Sequence, residues 1–186
     1  MAAAPATTLP LHRLDVDTYN RIVASGALEG EHVELLDGTI VDMSPQSPSH
    51  AAVVEKLTRH FAAAPGRLRV QLPLEVRPDS EPEPDLAIIE EPAMPGQHPR
   101  TATLVIEVAI SSQPIDRNVK ARLYARADIP TYWLIDVPAQ TVAVHTKPGE
   151  QGYQSIKPYG RGETVPCPLD GVDDLDIATL LANVAG

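Results

Sequence analysis

A chain of 186 residues, 43% hydrophobic and 22% charged, is long enough for one globular domain with a substantial core and short of two. A single cysteine, Cys167, excludes a disulfide framework and a cysteine-based zinc site, and the 4% aromatic share argues against a base-stacking platform for single strands. The formal net charge of -10 counts against nucleic acid as a partner without excluding it, because the 15 Lys and Arg residues can still cluster locally.

No apolar run approaches the roughly eighteen residues that a membrane span needs. The opening MAAAPATTLP lacks the charged region and apolar core of a secretory signal. Residues 1–10 therefore read as a disordered leader to a cytoplasmic protein, with residues 11–186 as a single domain. Residues 15–24 (DVDTYNRIVA) predict a short helix with Asp15 or Asp17 as its N-cap. In HVELLDGTIVDM, two short apolar runs flank Asp37-Gly38, the pair that a tight type I′ hairpin demands. Glu34 alternates there with Val33 and Leu35, so it points away from the face they bury. Ser47 and Pro48 predict the cap and first residue of a helix running to about Ala64, with Val53 or Val54, Leu57 and Phe61 inward. Residues 67–76 alternate, with Leu68, Val70, Leu72, Leu74 and Val76 on one face, which predicts one half-exposed strand. A further strand, DLAIIE, is opened by Pro84 and Asp85, and residues 91–101 form a Pro/Gly loop.

The next stretch organises the rest. Leu104, Val105, Ile106, Val108 and Ile110 are apolar on both faces of a strand, as in the middle of a sheet. Glu107 interrupts them, and a buried carboxylate is costly unless a cation or hydrogen bonds hold it. In the helix expected over residues 115–127, Ile115, Val119 and Leu123 form a core-facing stripe, and Asp116, Lys120 and Tyr124 a second stripe beside it. If this helix doubles back over its strand, Glu107 lies about 13 Å before the break at Ser111, at roughly 3.3 Å per residue. Lys120 lies about 9 Å after Pro114, at roughly 1.5 Å per residue. A lysine side chain spans the difference, so carboxylate and ammonium can meet at one end of the sheet. Strands over 131–136 and 141–146 follow, then a Gly/Pro-punctuated tail and a terminal helix capped by Asp174 or Asp176. From residue 47 to 136 the order is helix-strand-strand-strand-helix-strand. A helix between strands implies a crossover and a parallel pair, so the class is α/β or mixed α+β.

Asp85 opens one strand and Glu107 lies within the next, so as neighbours both can face one site. With Lys120 they make two hard oxygen ligands and a cation. Magnesium takes one or two carboxylates plus waters and phosphate oxygens, and such an ion promotes phosphodiester cleavage. The element order, with Pro84-Asp85 followed by Glu107, resembles the PD-(D/E)-X-K nuclease fold. ELLDGTIVDMSPQSPSH, EPDLAII, LVIEVAISS and DRNVKARLYARADIPTYWLID are similar to the Uma-two family of restriction-endonuclease-like proteins, over residues 11–146. The resemblance implies a restriction-endonuclease-like core at about 47–146, preceded by an N-terminal helix and hairpin. It also implies a metal-dependent endonuclease in which Asp85 and Glu107 hold Mg or Mn. Glu34 and His50 match the family's upstream acidic and histidine positions, and Lys120 its helical lysine. One departure stands out. Ala109 lies two residues after Glu107, where the parent motif has its lysine, and the resemblance implies that this lysine has moved to the helix as Lys120.

Each residue also has a plainer reading. Glu107 fits a structural ion pair, Asp85 a turn after proline, and Lys120 a solvated partner of Asp116 at i,i+4. Glu34 fits an exposed hairpin carboxylate and His50 a local first-turn contact. Ser111, Asp116 and Tyr124 read as supports, and Tyr132 and Trp133 as core. The remaining histidines show no ligand spacing, and no serine stands in a nucleophile-elbow context. The expected partners are nucleic acid, DNA first, and a second copy pairing along an exposed edge strand to give a homodimer. Two alternatives remain open: a non-catalytic nuclease-fold binding or assembly module, and an enzyme for a small phosphorylated compound.

Overall fold

The computed structural model describes residues 10–90, 94–112 and 114–184. The expected leader, apart from Pro10, and the first part of the Pro/Gly loop lie outside these residues. Helix α1 (Val16–Ala24) starts where Asp15 accepts the amide of Thr18 at 2.7 Å. The hairpin follows as β1 (Val33–Leu36) and β2 (Thr39–Asp42). Asp37 and Gly38 turn it with φ of 45° and 72°, the left-handed pair that a type I′ turn requires. A Cβ at Gly38 would lie 2.8 Å from Arg13 Cβ, so both backbone angle and space demand glycine. Helix α2 (Pro48–His60) is capped by Ser47, whose hydroxyl accepts the amide of His50 at 3.2 Å.

The remaining elements are β3 (Arg67–Val70), β4 (Leu86–Ile89), β5 (Leu104–Ala109), a π-helical segment (Ile115–Lys120) continuing into α3 (Ala121–Arg126), β6 (Thr131–Asp136), β7 (Thr141–Thr146), β8 (Ser155–Gly160), β9 (Thr164–Val165), β10 (Leu175–Asp176) and α4 (Ile177–Leu180). Strands β3 to β8 form one six-stranded sheet in sequence order. Within it β5 and β6 run parallel, joined by the crossover through the π-helical segment and α3, and the other neighbours run antiparallel. The hairpin β1-β2 is a separate two-stranded sheet, and so is β9-β10. This is the mixed α/β class, with the expected helix-strand-strand-strand-helix-strand core. Among the described residues no helix is long and apolar enough to cross a membrane.

Strand alternation sorts the core into two layers. Leu104, Ile106 and Val108 pack with Val53, Leu57 and Phe61 of α2 and with Trp133. Val105 and Ala109 face the other way, against Ala121, Tyr124, Tyr132 and Leu134. Each fully buried aliphatic side chain contributes about 1.5–3 kcal/mol. Glu107 has the parity of Val105 and Ala109, so it is aimed at the crossover segment.

Three expectations need correction. The half-exposed strand over residues 67–76 ends at Val70, because Gln71 takes a left-handed φ of 51° and Pro73 has no amide to donate to a ladder. Beyond that break Leu74 and Val76 are buried as expected, but two positions depart. Leu72 is 44% exposed while Glu75, expected outside, is buried against Arg77 and Arg100. Helix α2 stops at His60, short of Ala64. On the crossover, Leu123 is buried as expected and Val119 packs beside it, but Ile115 is 38% exposed, and the second stripe, Asp116, Lys120 and Tyr124, is buried as well.

Candidate active site

Asp85, Glu107, Lys120, Glu34 and His50 line one cavity of about 150 Å³ at the end of the sheet where β4 begins and β5 ends. All five sequence candidates are brought together there. A larger cavity of about 580 Å³ lies at the opposite end, by Ile89, Thr103 and Pro130, away from these groups.

Asp85 precedes β4. The antiparallel register that sets Leu86 against Ile106 continues to place Asp85 beside Glu107. Because β4 has ended there, the amide of Val108 lacks a ladder carbonyl and donates instead to Asp85 Oδ2 at 2.8 Å. His50 Nε2 lies 3.0 Å from the same oxygen, and Gln71 Nε2 donates to Oδ1 at 3.3 Å. The first turn of α2 therefore delivers His50, and its cap Ser47 fixes where that turn begins. His50 Nδ1 is buried without a hydrogen-bond partner among the described residues.

Glu107 meets Lys120, as the reach along strand and helix implied. Lys120 Nζ lies 3.1 Å from Glu107 Oε1 and 3.1 Å from Glu34 Oε2. Glu34 arrives from β1 on the face opposite Leu35, and its Oε2 also accepts the amide of Glu83 at 3.1 Å. The Tyr124 hydroxyl donates to Glu107 Oε1 at 2.6 Å. Burial pushes the Glu107 carboxyl up to about 8, against the opposing pull of the Lys120 ammonium. For Lys120 the desolvation cost is outweighed by Glu107, Glu34 and Asp116, which hold it well above the ordinary lysine value. Lys120 is therefore a permanent cation and a hydrogen-bond donor, not a base. Asp116, only 3% exposed, is raised by burial and held by the hydroxyl of Ser112.

The plain readings of Asp85 as a turn residue, Glu34 as an exposed carboxylate and Lys120 as a solvated lysine do not describe these contacts. Tyr132 and Trp133 are core, as expected. Gln71, Glu83 and Ser112 were missed. Gln71 and Glu83 gave no periodic signal, but Gln71 was accessible from register, since it is the residue that pairs with Asp85 once Val70 pairs with Leu86.

A family model named Uma2 and described as "Putative restriction endonuclease" matches residues 16–178. The chain belongs to the Uma2 family. The match takes in the hairpin and the sheet and ends at the start of α4, and so extends past the residue 146 limit of the motifs read from the sequence. No curated protein matches this Uma2 chain. A solved structure is similar to it with a TM-score of 0.71 and 17% identity, covering 90% of this chain and 97% of that one. It is titled as a "putative nuclease belonging to DUF820 from Anabaena variabilis". At that identity the likeness establishes the restriction-endonuclease-like fold.

Among the described residues no group of three or more His, Cys, Asp or Glu side chains is arranged to hold a metal ion unaided. Asp85 and Glu107 line the same cavity and would offer two hard carboxylate donors. Such a set suits magnesium or manganese, which draw the rest of their shell from water and phosphate.

Proposed function

We propose that this Uma2 chain is a divalent-metal-dependent endonuclease that hydrolyses phosphodiester bonds in nucleic acid, DNA first. The family description and the nuclease title of the structural relative support the activity. The observation that carries it is the placement of Asp85 beside Glu107, on neighbouring strands in one cavity, with Lys120 3.1 Å from Glu107. Asp85 and Glu107 would hold Mg or Mn. The bound ion lowers the pKa of water and offsets negative charge on the phosphate.

The chain's own groups do the rest. His50 and the Val108 amide fix the Asp85 carboxylate. Glu34, anchored through Oε2, accepts a proton from the attacking water with its other oxygen. Lys120 remains protonated and steadies charge on the phosphate as one P–O bond forms and another breaks. The leaving sugar oxygen takes a proton from solvent at the cavity mouth, giving a phosphomonoester and a hydroxyl.

The test is incubation of the purified protein with single- and double-stranded DNA and RNA in magnesium or manganese, beside Asp85→Ala and Glu107→Ala. Cleavage by the parent and none by either variant is expected. Cleavage of every substrate at an unchanged rate in both variants would sink the assignment. A non-catalytic binding or assembly module is the second reading, favoured by one feature: Lys120 is already neutralised by two carboxylates. It predicts neither cleavage nor manganese binding. Assembly as a homodimer is proposed along the outer edge of β3 or β8, which among the described residues has no strand partner.

A further inference from the structure

Two donors converge on one oxygen of Glu107. Lys120 Nζ and Tyr124 Oη lie 3.1 Å and 2.6 Å from Oε1, and among the described residues no hydrogen bond reaches Oε2. The two donors differ in what they can fix. Lys120 is a flexible point charge that Glu34 shares. Tyr124 is a fully buried plate with a directional hydroxyl, and its ring centroid lies 5.2 Å from that of Tyr132. Tyr132 packs in turn on His145 and Tyr153, and its own hydroxyl donates to the Asp116 carbonyl at 3.1 Å. The ring behind Glu107 is thus held by a rigid aromatic group that also pins the π-helical segment carrying Lys120. A glutamate's terminal torsion is otherwise broad, so its oxygens have no fixed places without such a clamp.

We propose that Tyr124 is a positioning residue: its hydroxyl ties Glu107 Oε1 back toward α3, so that Oε2 is the oxygen presented to the divalent cation. The inference rests on the metal reading given above. Partners of this kind, one step behind a metal ligand, change affinity by about 10–100-fold when lost.

The test is calorimetric titration of the full chain with manganese chloride, comparing the parent with Tyr124→Phe and Tyr153→Phe. Both variants keep their rings, and each loses one buried hydroxyl. The Tyr153 hydroxyl donates to the Ile129 carbonyl at 2.8 Å, in the same aromatic group but without contact to Glu107. Circular dichroism confirms folding, and the rise in melting temperature with added manganese gives a second measure of affinity. Tyr124→Phe should bind manganese about 10–100-fold more weakly, with Tyr153→Phe unchanged. Parent-like affinity in Tyr124→Phe, or an equal loss in Tyr153→Phe, overturns the positioning role and leaves the metal reading in place. Absence of manganese binding by the parent overturns both.

Discussion

Replacing Lys120 with methionine keeps a flexible, unbranched side chain and removes its charge. Lys120 is 5% exposed and stands 3.1 Å from carboxylate oxygens of both Glu34 and Glu107. Removing one partner of a buried ion pair costs about 3–5 kcal/mol, because the remaining charge stays desolvated. Two features place this case at the lower end. Burial raises the Glu107 carboxyl against the pull of the ammonium, so losing that pull favours its neutral form further, and Tyr124 still bonds it. Glu34 keeps the Glu83 amide. A loss of about 3 kcal/mol is therefore expected, or about 6–12 °C in melting temperature for a chain of this size. Adding Glu107→Gln to Lys120→Met removes one of the two carboxylates left beside the lost ammonium, with Glu34 remaining, so the double variant should be about 1–2 kcal/mol more stable than the sum of the singles. Urea unfolding at neutral pH measures all four proteins. A Lys120→Met loss below about 1 kcal/mol, or strict additivity in the double, would refute the buried pairing.

Three further outcomes follow from the same structure. His145 is 2% exposed with neither ring nitrogen hydrogen-bonded among the described residues, and burial, aided by Arg117, holds its pKa down to about 4 from 6.5. The unfolded chain then binds a proton below pH 6.5 that the folded chain refuses, so stability falls by about 3 kcal/mol from this group between pH 6.5 and 4. Glu107, raised by burial, acts in the opposite sense, losing its contribution as pH rises toward 8. Denaturation midpoints of His145→Phe against the parent at pH 7 and pH 5 isolate the histidine, and an equal pH loss in both would contradict its burial in neutral form. Gly38→Ala puts a Cβ 2.8 Å from Arg13 Cβ at a left-handed φ, and should cost more than about 1 kcal/mol in urea unfolding. Ser47→Ala removes the cap of α2 and should cost about 1 kcal/mol in the same assay. Because that cap fixes the turn bearing His50, manganese affinity should fall with it; unchanged affinity would separate the cap from the site.

Legibility from sequence followed the kind of physics involved. Asp37-Gly38, Ser47-Pro48 and the apolar run of residues 104–110 are governed by local sterics and burial, and they lie where the pattern put them. The meeting of Glu107 and Lys120 was legible because it needed only rise per residue and side-chain reach. What local pattern could not carry was the break at Gln71, where one left-handed residue ends the strand and leaves Leu72 exposed and Glu75 buried. The π-helical segment was equally hidden. The four-residue repeat of Ile115, Val119 and Leu123 showed one packed face, but not that Asp116, Lys120 and Tyr124 are buried too, with Glu34 and Glu107 across the interface from Lys120. Burial there is set by charge partners distant in sequence. Gln71, Glu83 and Ser112 belong to the same category, since each matters through the residue it touches.

The hairpin that supplies Glu34 is its own two-stranded sheet, joined to the rest by packing of Leu35 and Leu36, ion pairs from Lys120, Arg122 and Arg126, and hydrogen bonds outside any shared ladder. Among them are the Gly38 amide on Asp79, the Glu81 amide on Leu35 and the Glu83 amide on the Glu34 carboxylate. Asp85, Glu107 and Lys120 instead belong to the six-stranded sheet and its crossover. The cavity therefore has walls of two different strengths. Opening of the hairpin breaks those contacts rather than the whole sheet, and its free energy lies below that of global unfolding. Each such opening removes one of Lys120's two counter-charges and widens the mouth while the two strand carboxylates stay in register. Amide exchange faster in residues 33–42 than in 104–109 would trace that movement, and equal protection in the two segments would refute it.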